Sequence, residues 1–217
     1  MYLADVNVNS LPREIKAIFF INDLNTLYYI NNTQRSGLMG FRIKIENVVA
    51  STSLNVPIKL EKLVANLDNV EYEPEQFPGL VLRLKDPKAA ALIFSSGKVV
   101  CTGAKSPKDS KLVIAKIVIK MNRIGIKIPK NYKVRLENIV ASAKLNRELN
   151  LNNIAFSLEN TEYEPEQFPG LVYRMDDPRV TFLLFGSGKV ICTGGRSIED
   201  VKRAVAKADK RLRNLNK

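Results

Sequence analysis

Two long stretches set the pattern of this chain. Ile43–Ser53 and Val134–Lys144 alternate in side-chain character and are rich in β-branched residues, which predicts strands. Each leads into a short helical pattern, Pro57–Asn66 with proline at its start, and Glu148–Ser157. Further strand patterns follow near Asp68–Glu73, Gly79–Lys85, Ala90–Ser95 and Lys98–Gly103, the last two joined by a Ser-Ser-Gly turn. A long helix, Pro107–Ile124, comes next, capped by Ser106. Its apolar positions Ile114, Ile117, Val118, Met121 and Ile124 have helical spacing. Ser197 caps an equivalent helix that runs to about Leu215.

The two sets are copies. YEPEQFPGLV at Tyr72–Val81 recurs letter for letter at Tyr163–Val172. GKVVCTG at Gly97–Gly103 recurs as GKVICTG at Gly188–Gly194, and ENVVAS at Glu46–Ser51 as ENIVAS at Glu137–Ser142. All three pairs share an offset of 91 positions without a gap. A solenoid needs at least about three units, so two copies in register predict half-domains related by an approximate twofold axis. The expected fold is α+β. It is a pseudo-twofold saddle, one curved antiparallel sheet of about ten strands with four helices on the convex face. Residues 41–130 form the first repeat and 131–217 the second, with 1–40 as an N-terminal extension.

Helices on one face of a sheet ordinarily leave polar residues on the other. Here both parities are apolar. Leu92, Phe94, Val100 and Thr102 share one parity, as do Leu183, Phe185, Ile191 and Thr193, while Ile93, Val99 and Cys101 can pack on the helices. An uncovered apolar face predicts a binding surface. The floor of a DNA minor groove offers mainly acceptors at A·T pairs, so its reader needs a smooth apolar sheet with a few central donors. Asn47 and Asn138, beside Val49 and Val140, bring amides; Thr102 and Thr193 bring hydroxyls. A lone Asn or Thr in a strand more often satisfies nearby backbone, but pairing at one offset favours the binding reading. Phe77 and Phe168 stand in EPEQFP loops stiffened by Pro74 and Pro78, or Pro165 and Pro169. A rigid tip carrying an aromatic suits insertion between base pairs, which kinks the duplex toward the major groove. TA steps unstack cheaply, adding specificity. Phe94 or Phe185 taken singly reads as core.

Composition narrows the classes. A formal net charge of +12 favours a polyanionic partner. Histidine is absent, and with it His-based acid–base catalysis, Ser-His triads and His-ligated metals. Cys101 and Cys192 occupy equivalent points of the repeat, too few for a zinc site, and read as small apolar strand residues in a reducing compartment. No run of about 18 apolar residues marks a membrane span, and the first residues lack the basic-then-apolar order of a secretory signal.

From about Phe41 to Leu215, the motifs ENVVAS, YEPEQFPGLV and LIFSSGKVVCTGAKS and their second-copy partners resemble the core of the TATA-box-binding protein family. The EPEQFPG form of both loops is more similar to archaeal than to eukaryotic members. The resemblance implies the saddle fold and a non-enzymatic general transcription initiation factor. Such a factor binds TA-rich double-stranded promoter DNA in the minor groove, bends it, and recruits transcription factor B and RNA polymerase. That family is itself a reference case for such kinking, so the bend stands here as implied by the resemblance. By position, the resemblance makes Phe77, Phe94, Phe168 and Phe185 the intercalating wedges. It assigns central base contacts to Asn47, Asn138, Thr102 and Thr193, and apolar contacts to Val49, Val140, Leu92, Leu183, Val100 and Ile191. Phosphate contacts fall to Arg83, Lys98, Lys105, Arg174, Lys189 and Arg196, helped by Ser96 and Ser187. Glu164, Glu166 and Gln167 of the second loop face transcription factor B. No cofactor and no membrane are implied, and the location is cytoplasmic and nucleoid-associated, or nuclear in a eukaryote.

The chain departs from the family in its basic helices. Archaeal relatives are commonly acidic with an acidic tail, whereas this tail carries Lys207, Lys210, Arg211, Arg213 and Lys217. The first long helix carries Lys111, Lys116, Lys120 and Arg123, with Lys127 beyond it. Such faces, expected on the convex side, serve a protein partner or flanking DNA, or are simply solvated. Two rivals stand beside this reading. A DNA glycosylase on a related topology needs a catalytic Asp or Lys in an added helical domain, for which no chain remains. A regulatory paralogue acting as a protein-interaction module has to explain why all four wedge aromatics and all four central polar positions are present. For the Asn-rich extension, with apolar patches at Ala17–Ile21 and Leu27–Ile30, two readings stay open: a lineage-specific arm, or sequence upstream of a true start at Met39.

Overall fold

The computed structural model describes residues 42–215. The first copy runs β1 (Ile43–Ser53), α1 (Leu60–Asn66), β2 (Val70–Glu71), β3 (Gly79–Lys85), β4 (Lys88–Phe94), β5 (Lys98–Ala104) and α2 (Pro107–Arg123). The second runs β6 (Arg135–Lys144), α3 (Leu151–Ser157), β7 (Thr161–Glu162), β8 (Gly170–Met175), β9 (Val180–Phe185), β10 (Lys189–Gly195) and α4 (Ile198–Leu215). The ten strands make one sheet in the order β2-β3-β4-β5-β1-β6-β10-β9-β8-β7, with antiparallel pairs inside each copy. The expected α+β class therefore holds. Compact units divide within β1 and β6: one is Asn47–Asn138, and the other joins Ile139–Lys217 to the head of β1 up to Glu46.

Both short helices start later than their sequence pattern. The Ile58 N–H donates to Ser95 O at 2.8 Å, and the Leu149 N–H to Gly186 O at 2.8 Å. These bonds keep the chain extended, so α1 begins at Leu60 rather than at Pro57, and α3 at Leu151. The long helices match expectation at their starts. Ser106 Oγ accepts from the Asp109 N–H at 3.0 Å and Ser197 Oγ from the Asp200 N–H at 3.0 Å.

In the Asn47–Asn138 unit, α2 buries Val113, Ile114, Ile117, Val118 and Met121 in a core with Leu80, Leu82, Ile93 and Val99. Those strand residues share one parity. In the other unit α4 buries Val201, Ala204, Val205, Ala208 and Leu212. Its helix is slimmer because its strands are bulkier: Tyr173 and Phe182, stacked 6.1 Å apart, stand where the first copy has Leu82 and Ala91. Bulk has moved between layers with the total conserved, as close packing demands. In each copy the other strand parity points away from the helices.

Candidate nucleic-acid interface

Strand register builds the helix-free face row by row. In the first copy Val81 pairs with Leu92, Leu92 with Val100, and Val100 with Ser51, giving an apolar row across β3, β4 and β5 that ends on a hydroxyl in β1. The second copy repeats it with Val172, Leu183, Ile191 and Ser142. Val81 and Val172 stand in these rows although motif reading passed them over; Val81 shares its parity with Arg83.

One step along, Gly79 pairs with Phe94. A Cβ on Gly79 would stand 2.6 Å from Phe77 Cε1, so only glycine leaves room for the loop ring over the strand. The Phe77 and Phe94 rings meet edge to face at 5.8 Å and 66°, and Phe168 and Phe185 at 6.0 Å and 68°. Phe94 and Phe185, readable singly as core, instead lie half-buried on the open face. Each loop is closed by its own backbone: the Phe77 N–H donates to Glu73 O and the Phe168 N–H to Glu164 O, both at 2.9 Å. Exposure separates the tips. Phe77 is 39% exposed and Phe168 only 7%.

A register shift in β5 between Cys101 and Ala104 sets two residues, Thr102 and Gly103, against Val49 alone, and Gly103 takes φ +94°. Asn47 Oδ1 accepts the Gly103 N–H at 2.7 Å, and its Nδ2 donates to Thr102 Oγ1 at 3.1 Å. Asn47 is fully buried and Thr102 half-buried, so the hydroxyl is the more accessible of the two. The corresponding shift lies between Cys192 and Gly195, with Gly194 at φ +102°; Thr193 is buried and Asn138 half-buried. Val49 and Val140 are buried. The ENVVAS and ENIVAS motifs supply a matched contact as well: Ser51 Oγ donates to Glu137 Oε1, and Ser142 Oγ donates to Glu46 Oε1 at 2.7 Å.

Basic groups rim each face. Arg83 donates to both Glu71 oxygens, at 3.0 and 3.1 Å, and Arg174 to Glu162 at 3.1 Å. The hydrogen bond and charge of Arg83 hold the Glu71 carboxyl below its ordinary range. These acidic partners were not legible as motifs, since strands as short as β2 and β7 carry little pattern. Lys98, Lys105 and Arg196 are exposed. The Lys189 ammonium lies 6.0 Å over the Phe185 ring, its pKa lowered by burial and then by Lys144, against the pull of Glu46. Ser96 and Ser187 each accept the N–H two residues on, at 3.4 Å, and both are exposed. Glu164, Glu166 and Gln167 are exposed, with the Gln167 amide donating to Glu164.

Cys101 and Cys192 are free and buried, and burial pushes both thiols up to about 12, far from thiolate chemistry. Among the described residues no acidic or cysteine cluster could hold a metal, and no helix is long and apolar enough to cross a membrane. Several of the basic helix residues are engaged: Lys116 and Lys207 bond Asp86 and Asp177 of the turns between the paired strands, at 3.1 Å and 2.6 Å to the carboxylates, Arg211 donates to the Tyr173 hydroxyl, and Arg213 donates to Asp209.

Comparison with known proteins agrees with this geometry. The family model described as "Transcription factor TFIID (or TATA-binding protein, TBP)" matches twice, over residues 42–124 and 133–215. The chain is 58% identical over 174 residues to a TATA-box-binding protein of Methanothermobacter thermautotrophicus, covering 80% of this chain and 96% of that one. It is 55% identical over 180 residues to that of Archaeoglobus fulgidus, covering 82% and 98%. The solved structure of Methanococcus jannaschii TBP superposes with a TM-score of 0.75 at 54% identity, covering 79% of this chain and 98% of that one.

Proposed function

The chain belongs to the TATA-box-binding protein family of non-enzymatic, DNA-binding transcription factors, and from that premise we propose that it opens and bends TATA-box promoter DNA to start transcription. The row of Val81, Leu92 and Val100 and its second-copy partner lie against the minor-groove floor. Thr102 offers its hydroxyl to A·T acceptors, and Asn47 orients that hydroxyl while tying down the bulge. Asn138, half-buried where Thr193 is buried, offers its amide to A·T acceptors in the second copy. Phe77 with Phe94, and Phe168 with Phe185, wedge into base steps; the family is a reference case of this mode. Lys98, Lys105, Lys189 and Arg196 meet phosphates, with Ser96 and Ser187 beside them, and Arg83 and Arg174 join on exchanging their carboxylate partners for DNA. Glu164, Glu166 and Gln167 present an exposed acidic loop to transcription factor B, through which RNA polymerase is recruited at promoters in the nucleoid.

One observation carries the reading: the same edge-to-face ring pair occurs twice, each beside an apolar row with no helix over it. Binding and end-to-end distance on a doubly labelled TA-rich duplex, against a GC-rich control, test it. Phe168→Ala with Phe185→Ala should shrink the bend more than it weakens non-specific binding. Equal loss of both would remove the wedge assignment, and attachment undisturbed by a minor-groove-blocking drug would remove the groove.

A further inference from the structure

The two acidic loops are alike in sequence and in closure. Tyr72–Val81 and Tyr163–Val172 read letter for letter the same. The Gln76 and Phe77 N–H groups donate to Glu73 O at 3.0 and 2.9 Å, and those of Gln167 and Phe168 to Glu164 O at 3.0 and 2.9 Å. Glu73, Glu75 and Gln76 are exposed, as are Glu164, Glu166 and Gln167. A partner that reads these side chains alone meets two equal sites, so a preference has to come from residues outside the loop. The short helix before each loop supplies a difference. Its inward positions match: Leu60 and Leu63 in α1, Leu151 and Ile154 in α3, all buried. Its exposed positions, N-cap included, do not: Ala65 gives way to Phe156, and Lys59, Glu61 and Lys62 to Asn150, Asn152 and Asn153. Phe156 is 93% exposed, whereas the other exposed large apolar side chains among the described residues, Val64, Phe77, Leu112 and Ile119, reach 39–50%.

We propose that Phe156 is the anchor by which a basic protein partner selects the second loop over the first. The partner sets its cationic surface on Glu164 and Glu166 and an apolar pocket over the ring, an inference that rests on reading that loop as the surface for transcription factor B. A ring so exposed adds nothing to the core, while aromatic side chains are enriched in protein interfaces. The helix that carries it is pinned. Asn150 Oδ1 accepts the Asn153 N–H at 3.0 Å, and Asn153 Nδ2 donates to Leu215 O at 3.0 Å. Thr161 Oγ1 donates to Leu158 O at 2.9 Å and to Ala155 O at 3.3 Å, tying the last helical turn to β7; the first copy has Val70 there, which has no hydroxyl to give. From Thr161 three residues lead to Glu164, at most about 10 Å. Ring and carboxylates therefore fall within one partner footprint, about 30 Å across for a standard interface. Charge agrees. Beside the first loop a cationic surface would meet exposed Lys59 and Lys62 with Glu61 between them, and beside the second only neutral amides.

The affinity of transcription factor B for the full chain on a TA-rich duplex tests this. Phe156→Ala should weaken it at least about tenfold. Duplex affinity, bend and melting temperature should stay as they are, because so exposed a ring supports nothing else in the chain. Undiminished partner affinity overturns the proposal. In the Phe156→Ala background, Ala65→Phe should return binding, which Glu73→Arg with Glu75→Arg then abolishes; no return overturns the selection. Self-association of the chain that Phe156→Ala abolishes, with partner affinity unchanged, assigns the ring to a second copy and overturns it equally. Glu164→Arg with Glu166→Arg keeps the two readings apart. Loss there but none with Phe156→Ala leaves the loop reading standing without this one; loss with Phe156→Ala alone leaves the anchor standing and removes the loop.

Discussion

A Cβ at Gly79 would reach Phe77 Cε1 at 2.6 Å and Phe94 Cε1 at 3.0 Å. The clash is with the tip of an exposed ring, which can swing into solvent. Gly79→Ala should therefore change stability by less than about 1 kcal/mol while reducing the bend; thermal melting beside end-to-end distance separates the two. A large fall in melting temperature with normal bending would make the ring pair a packing element. Glu71 offers a second residue-scale test. Its carboxyl is held low by Arg83, so the pair's stabilisation is present above the unfolded-state pKa and fades as pH falls through the lower folded value. Both groups are exposed, so that effect is small. The larger consequence is at the DNA. Glu71→Gln weakens the hold on Arg83 and should tighten duplex binding, steepening its salt dependence by about one phosphate contact. A titration at several salt concentrations reads this directly.

Between elements, the copies solve one packing problem in two ways. Val56 and Val118 in the first copy are replaced at the same offset by Arg147 and Asp209. Arg147 Nη1 donates to Asp209 Oδ1 at 2.8 Å, its Nη2 to Asp209 O at 3.0 Å, and Arg213 holds Oδ2 from the solvent side. Removing one member strands a buried charge, so Asp209→Val should cost about 3–5 kcal/mol. The double change Arg147→Val with Asp209→Val restores the apolar pair and should recover most of that loss in urea denaturation. No recovery would mean that the pair orients α4 rather than filling space. Lys116 and Lys207 likewise tie helices to strand turns. Charge reversal aimed at a partner of the basic helix belongs at Lys111 and Lys120, both exposed, because at Lys116 it also breaks the Asp86 contact.

For the whole molecule, the surplus of positive charge and the apolar faces make separable contributions to DNA binding. Phosphate contacts release counterions whatever the sequence, whereas groove shape and step deformability do not. Plots of log affinity against log salt should therefore run nearly parallel for TA-rich and GC-rich duplexes, with TA-rich binding persisting at salt that abolishes the other. A preference that disappears with rising salt would place specificity in the basic rim instead of the sheet.

Alternation, helical spacing and self-similarity are local or internal properties of a chain. That is why β1, β3, α2, the duplicated architecture and the greasy parity of the hairpins were legible in the residues alone. Tertiary contacts decided the rest. Ile58 gives up a helical turn to Ser95, far along the chain, and Asn47 spends its amide on a bulge whose existence depends on pairing between β1 and β5. Gly79 becomes a platform only when a loop ring folds over it. Edge-to-face pairing of Phe77 with Phe94, and of Phe168 with Phe185, likewise depends on strand register that brings a loop beside a hairpin, which no repeated motif states.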